Sequence, residues 1–112
     1  MCYAGLDSSP HKALADQYCG GHASGILSFA IKGGLEGGTK FLDALQLITR
    51  LVNIGDAKSL ATHPASTTHR QLSDEQLVDA GITPDMVRIS VGLETLDDIL
   101  WDLDRTLAIS QK

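Results

Sequence analysis

The sequence predicts one α/β domain, with three or four strands in a single mixed layer and helices between them. Three observations carry this. The chain has 112 residues, one domain's length. It is 43% hydrophobic and 21% charged, an ordinary folded composition. Helical spacings of three and four alternate along it with short extended apolar runs. No repeat, low-complexity tract or domain boundary interrupts the pattern.

Each element has a local cause. Ser8-Ser9-Pro10 reads as a helix start, because a hydroxyl caps the first turn and proline lacks only an N–H that would be unpaired there. That helix runs to about Tyr18, and Gly20-Gly21 stops it. Residues 25–31 read as a short, buried strand bounded by glycines. Residues 33–38, with four glycines around Leu35 and Glu36, read as a turn. Thr39 then caps a helix with Phe41, Leu45, Ile48 and Val52 on one face. Residues 53–62 read as extended and irregular, ending at Pro64. Ser73-Asp74-Glu75-Gln76 is a capping box before a short helix that Gly81 stops. Val87, Ile89 and Val91 point to one side of the next strand, Arg88 and Ser90 to the other. Thr95 to Asp98 opens an acidic helix with Leu96, Ile99, Leu100, Leu103 and Leu107 inward. Asp97, Asp98, Asp102 and Asp104 fall on its solvated face.

Charge and length exclude several classes. The net charge is 9 − 14 = −5, which argues against nucleic acid or an anionic membrane surface as partner. The longest apolar run, residues 26–31, is too short to cross a bilayer. The N-terminus has no basic stretch followed by an apolar one, so no signal peptide is expected. Two cysteines, Cys2 and Cys19, make no disulfide framework, and the default compartment is the cytoplasm. A large multi-domain enzyme does not fit in 112 residues, so chemistry of that kind needs more chain or a partner.

Arg88 is the most informative residue for chemistry. An arginine flanked by apolar residues on a strand is expected to be covered, and a buried guanidinium must meet an anion. Its planar fork suits a carboxylate, either of a substrate or of one of the chain's aspartates. The glycines at 33–38 lack the lysine and hydroxyl of a phosphate loop. His63 and His69 enclose Ser66, Thr67 and Thr68, without a third metal ligand or an acid to orient a base. Nothing near Lys58 suggests the lowered pKa of a Schiff-base lysine. No metal site and no catalytic residue is expected.

These residues resemble a known family. Residues 53–60 (Asn-Ile-Gly-Asp-Ala-Lys-Ser-Leu), 63–69 (His-Pro-Ala-Ser-Thr-Thr-His) and 87–94 (Val-Arg-Ile-Ser-Val-Gly-Leu-Glu) are similar to the C-terminal part of the pyridoxal-phosphate-dependent enzymes of Cys/Met metabolism. Residues 3–6, 8–11 and 28–34 fit the same family in the same order. Asn53 followed by Gly-Asp-Ala-Lys-Ser-Leu looks like the O-acetylhomoserine sulfhydrylase branch.

The resemblance implies an α/β (α+β) fold: a small, mostly antiparallel or mixed sheet of three to four strands with helices packed on one side. It implies that residues 1–112 form the substrate-side C-terminal domain of a larger enzyme, with a separate cofactor domain as its partner. The branch converts O-acetylhomoserine and sulfide to homocysteine and acetate. Arg88 matches the arginine that grips the substrate α-carboxylate, and Asn53 a position that helps hold it. Ile54 and Thr67 match positions lining the substrate pocket. The family is typically a homo-tetramer. The five lysines, Lys12, Lys32, Lys40, Lys58 and Lys112, sit outside the family's cofactor-lysine motif. Pyridoxal phosphate is therefore expected in the full-length enzyme and not on this chain alone, which should be inactive. The other reading is a stand-alone domain that binds or senses a small amino acid.

Overall fold

In a computed structural model, residues 3–52, 55–65 and 73–111 are described. They form α1 (Lys12–Tyr18), β1 (Ile26–Ala30), α2 (Gly34–Ala44), β2 (Thr49–Arg50), β3 (Leu60–Thr62), α3 (Asp74–Asp79), β4 (Met86–Ser90) and α4 (Leu96–Ser110). The sheet order is β1-β4-β3-β2. β4 is antiparallel to both neighbours, and the two-residue β2 runs parallel to β3. The predicted mixed sheet is thus present, with β4 inside it.

Alternation along the strands sends one set of side chains to a single core. Val87 and Ile89 of β4, Ala61 of β3, and Leu27 and Phe29 of β1 meet Phe41 and Leu42 of α2 and Ile99 and Leu103 of α4. Phe29 and Phe41 touch edge to face, with ring centroids 5.7 Å apart and planes at 82°. Fully burying side chains of this size is worth roughly 1.5–3 kcal/mol each.

Some elements follow their local signals closely. Ser73 caps α3 by accepting the Gln76 N–H at 3.3 Å, while the Gln76 side chain accepts the Ser73 N–H at 3.0 Å. Gly81 follows it with φ +76°, a conformation that favours glycine. β1 occupies the glycine-bounded run, but it is half-buried rather than buried because it forms an edge of the sheet. α1 starts two residues later than the Ser8-Ser9-Pro10 signal suggests, because Ser9 Oγ accepts the His11 N–H and holds a turn ahead of the helix.

The glycines at 33–38 are not a turn before a helix but the helix's own first residues. Gly33 is the N-cap with φ +102°, and Thr39 lies inside α2, its hydroxyl donating to the Leu35 carbonyl. Close approach explains the glycines. A Cβ on Gly38 would sit 2.5 Å from His63 Nε2, and one on Gly37 would strike the Lys32 carbonyl. His63 lies just after β3 with its ring fully buried, and Nε2 donates to the Pro84 carbonyl at 2.6 Å.

α2 also ends earlier than its apolar stripe. Leu45 turns extended, and Ile48 and Val52 lie beyond the helix, the first buried and the second exposed. The cause is Asp102, expected on a solvated face but completely buried. Its carboxylate accepts the backbone N–H groups of Gln46 (3.1 Å), Leu47 (2.9 Å) and Ile48 (2.9 Å). Arg105 Nη2 donates to Asp102 at 2.9 Å and to the Ala44 carbonyl at 2.5 Å. α4 is therefore rotated from the expected face. Ile99, Asp102, Thr106 and Ser110 point inward, while Leu96, Leu100 and Leu107 are 65%, 52% and 39% exposed. At the end of β4, Val91 is likewise exposed rather than in line with Val87 and Ile89.

Two predictions follow from Asp102. Asp102→Ala strands three backbone donors and a guanidinium, and should destabilise the protein by about 3 kcal/mol in urea unfolding. A loss below about 1 kcal/mol would show that those donors find other acceptors. Burial pushes the Asp102 carboxyl up, but the donors from Ile48, Arg105, Gln46 and Leu47 outweigh it and hold it below its ordinary value. Its contribution is then full above the unfolded value of about 3.9 and is lost as pH falls through the lower folded value. Asp102→Asn should flatten the acid limb of the stability profile, and an unchanged limb would place acid sensitivity elsewhere.

Candidate functional site

Arg88 lies at the middle of β4, with Ser28 of β1 and Thr62 of β3 directly opposite on either side. Alternation puts it on the sheet face away from Phe41 and Ile99. The side chain is half-buried rather than fully covered. Nη2 donates to the Val52 carbonyl at 2.6 Å, which fixes the guanidinium plane. That bond uses one of its five donors.

Among the described residues no carboxylate pairs with it. The ion pairs among the described residues are Lys12–Asp16, Lys40–Glu36, Arg50–Asp43 and Arg105–Asp102. The reading of Arg88 as a structural partner for an aspartate therefore finds no support among the described residues. What remains is a held, half-buried cation with donors to spare. Asn53, Ile54 and Thr67 lie outside the described residues, as do His69 and Cys2.

A second polar cluster lies where the chain leaves β4 and enters β3. Ser59, fully buried just ahead of β3, gives its backbone N–H to Glu94 Oε1 at 2.5 Å and its hydroxyl to Oε2 at 2.6 Å. The same hydroxyl accepts the Gly92 N–H at 2.9 Å. Leu93 N–H donates to the Ala57 carbonyl at 2.8 Å. A Cβ on Gly92 would collide with Ala57, Lys58 and Ser59, so only glycine lets the two segments lie this close. The Ser59 hydroxyl and N–H hold the Glu94 carboxyl below its ordinary range. Sequence reasoning missed this pair; the one available signal was an acid two residues after a glycine at the end of a strand.

Among the described residues the other sequence candidates do not converge. Among the described residues no three His, Cys, Asp or Glu side chains are grouped to hold a metal ion. Cys19 is a free, exposed thiol. Among the described residues no helix is long and apolar enough to cross a membrane. Lys32, Gly33, Glu36, Gly37, Lys40, Ser110 and Gln111 line a hollow of about 320 Å³ at the start of α2. Glu36 places a carboxylate in that first turn and binds Lys40 at 2.8 Å, which opposes a phosphate there.

The described lysines do not suit an aldehyde cofactor either, because such a lysine must be desolvated and lose its proton readily. Lys32, Lys40 and Lys58 are exposed. Lys12 is bound to Asp16, and that hydrogen bond raises its pKa, the opposite of what is needed.

Comparison with known proteins gives this geometry a family. A family described as Cys/Met metabolism PLP-dependent enzyme matches residues 1–108. The O-acetyl-L-homoserine sulfhydrylase of Leptospira meyeri is 53% identical over 109 residues, which cover 94% of this chain and 24% of that protein. The L-methionine gamma-lyase of Pseudomonas putida is 45% identical over 108 residues, 96% of this chain and 27% of that one. Among solved structures, an O-acetylhomoserine (thiol)-lyase from Campylobacter jejuni carrying a pyridoxyl-lysine superposes with TM-score 0.85 at 44% identity, covering 95% of this chain and 25% of that chain. Yeast cystathionine gamma-lyase superposes with TM-score 0.91 at 34% identity, covering 98% and 28%. The chain spans about a quarter of the length of the curated relatives it matches. With nearly its whole length matched, and with the mixed sheet of the structures it superposes on, the chain belongs to the Cys/Met metabolism PLP-dependent enzymes.

Proposed function

We propose that this chain is the substrate-side C-terminal domain of an O-acetylhomoserine sulfhydrylase, and that Arg88 binds the substrate α-carboxylate. The observation that carries the reading is the Arg88 guanidinium: half-buried, aimed by the Val52 carbonyl, and without a carboxylate partner among the described residues. Bidentate binding there would both neutralise the cation and fix the amino acid's orientation. Asn53 joins it at the carboxylate, and Ile54 and Thr67 line the pocket. The identity of the Leptospira meyeri sulfhydrylase supports that branch. A carboxylate is common to all amino-acid substrates, so Arg88 would do the same work in a lyase; the choice of sulfur chemistry belongs to other residues.

The cofactor, in this reading, is held by another part of the whole enzyme, and the described lysines here take no part in holding it. The enzyme is cytoplasmic and assembles as a homo-oligomer.

Arg88→Lys in the complete enzyme should raise KM for O-acetylhomoserine about tenfold or more, because lysine loses the bidentate geometry. Unchanged steady-state kinetics would remove Arg88 from the site. The 112-residue chain alone, mixed with pyridoxal phosphate and substrate, should show neither cofactor absorbance after desalting nor homocysteine formation. Either signal would place the cofactor on this chain and overturn the proposal.

A further inference from the structure

We infer that Glu94 is a positioning residue for Arg88, acting through Ser59 and the β2 edge without touching substrate. The inference rests on the reading of Arg88 as the carboxylate-binding residue.

The contacts form a continuous path. Glu94 holds Ser59 with both carboxylate oxygens. The Ser59 carbonyl accepts the Thr49 N–H at 3.0 Å, the first bond of the β2–β3 pair. The Ala61 carbonyl accepts the Leu51 N–H at 3.1 Å, the last bond before Val52. The Val52 carbonyl then takes the Arg88 hydrogen bond at 2.6 Å. Thr49, Arg50, Leu51 and Val52 are all exposed, so side-chain burial does little to hold this edge. Its place is set by where Ser59 and Ala61 present their carbonyls. Ala61 is fixed between β2 and β4 by register, whereas Ser59 precedes the strand and is fixed by Glu94 and by Gly92 N–H. Beyond these bonds the two-residue strand has the buried Ile48 ahead of it and the exposed Arg50–Asp43 ion pair at 2.8 Å, which is worth little in water.

Other acids do not substitute for Glu94 on Ser59. The Asp56 side chain accepts the Lys58 N–H at 3.0 Å, within its own turn. Glu94 is also too far along the chain from Arg88 to be a neighbour on the same strand face, which leaves Ser59 as its link to the site.

The test is a mutant cycle in the complete enzyme with its cofactor, using Glu94→Gln, Arg88→Lys and the double variant, with Tm recorded for each. Glutamine keeps the size of the side chain but offers a single acceptor, so it loosens Ser59 without opening a cavity. Glu94→Gln should raise KM for O-acetylhomoserine about fivefold to tenfold with kcat within about twofold. In the Arg88→Lys background it should add less than about twofold, since the group it aims is already gone. Ser59→Ala should reproduce the KM effect, and Glu94→Asp should fall between Glu94→Gln and the parent. If Arg88→Lys raises KM while Glu94→Gln does not, or if the two effects multiply, this inference fails and the role of Arg88 stands. If Glu94→Gln lowers Tm and kcat without raising KM, Glu94 is only structural and the inference fails. If Arg88→Lys leaves KM unchanged, both readings fall together.

Discussion

A buried carboxylate organises this domain. Asp102, in the second turn of α4, takes three successive backbone N–H groups from the segment that leaves α2, and Arg105 one turn further on closes the carbonyl at the end of that helix. One turn of α4 therefore does two tasks. It terminates α2 at Ala44, and it turns the chain so that Ile48 enters the core and Thr49 starts the sheet edge. Three aligned N–H groups form an anion-binding concavity of the kind proteins present to phosphates, filled here by the chain's own side chain. Arg105 is also set 5.3 Å from the Trp101 ring centroid, which helps keep it over the surface it serves.

The consequence reaches the other side of the sheet. β2 exists because Asp102 delivers the chain to it, and because Ser59 and Ala61 receive it. The Val52 carbonyl that orients Arg88 lies at the far end of that edge. Two carboxylates thus bracket the path: Asp102 where it begins, Glu94 where it is pinned. N–H and O–H donors favour the ionised form of both and lower both carboxyls from their ordinary values. Arg88 differs from Arg105 in this respect. The latter has its anion inside the fold, and the former does not find one among the described residues.

Local signals in the sequence were legible where the interaction is local. The Ser73 capping box, the Gly81 stop, the glycine-bounded β1 and the alternation of Val87 and Ile89 all rest on neighbours within a few residues. The errors arise where a distant residue decides. The glycines at 33–38 belong to a helix because His63 packs on Gly38. The α2 stripe stops early because of Asp102, 54 positions from Ile48. Asp102 carries the same local pattern as the solvated Asp97 and Asp98 beside it, and nothing near it in the chain marks it as buried. Arg88 was visible as an arginine among apolar residues; the identity of its acceptor, a backbone carbonyl 36 positions away, was not.

The strand order has a consequence for how the domain is made. β4 pairs with both β1 and β3, yet it is the last strand in the chain. A ribosome adding about 5–20 residues per second leaves β1 without its hydrogen-bonding neighbour for several seconds while the roughly 60 residues up to β4 are synthesised. Throughout that interval Leu27 and Phe29 stand on an open strand edge, which is the form in which a nascent segment recruits a foreign strand. The same late arrival makes sheet closure a long-range event, so loop entropy must be overcome before any β4 pairing rewards it. Protection of the emerging β1, by the nascent α2 folding over it or by a chaperone, is thus a requirement of this topology rather than of its stability once folded.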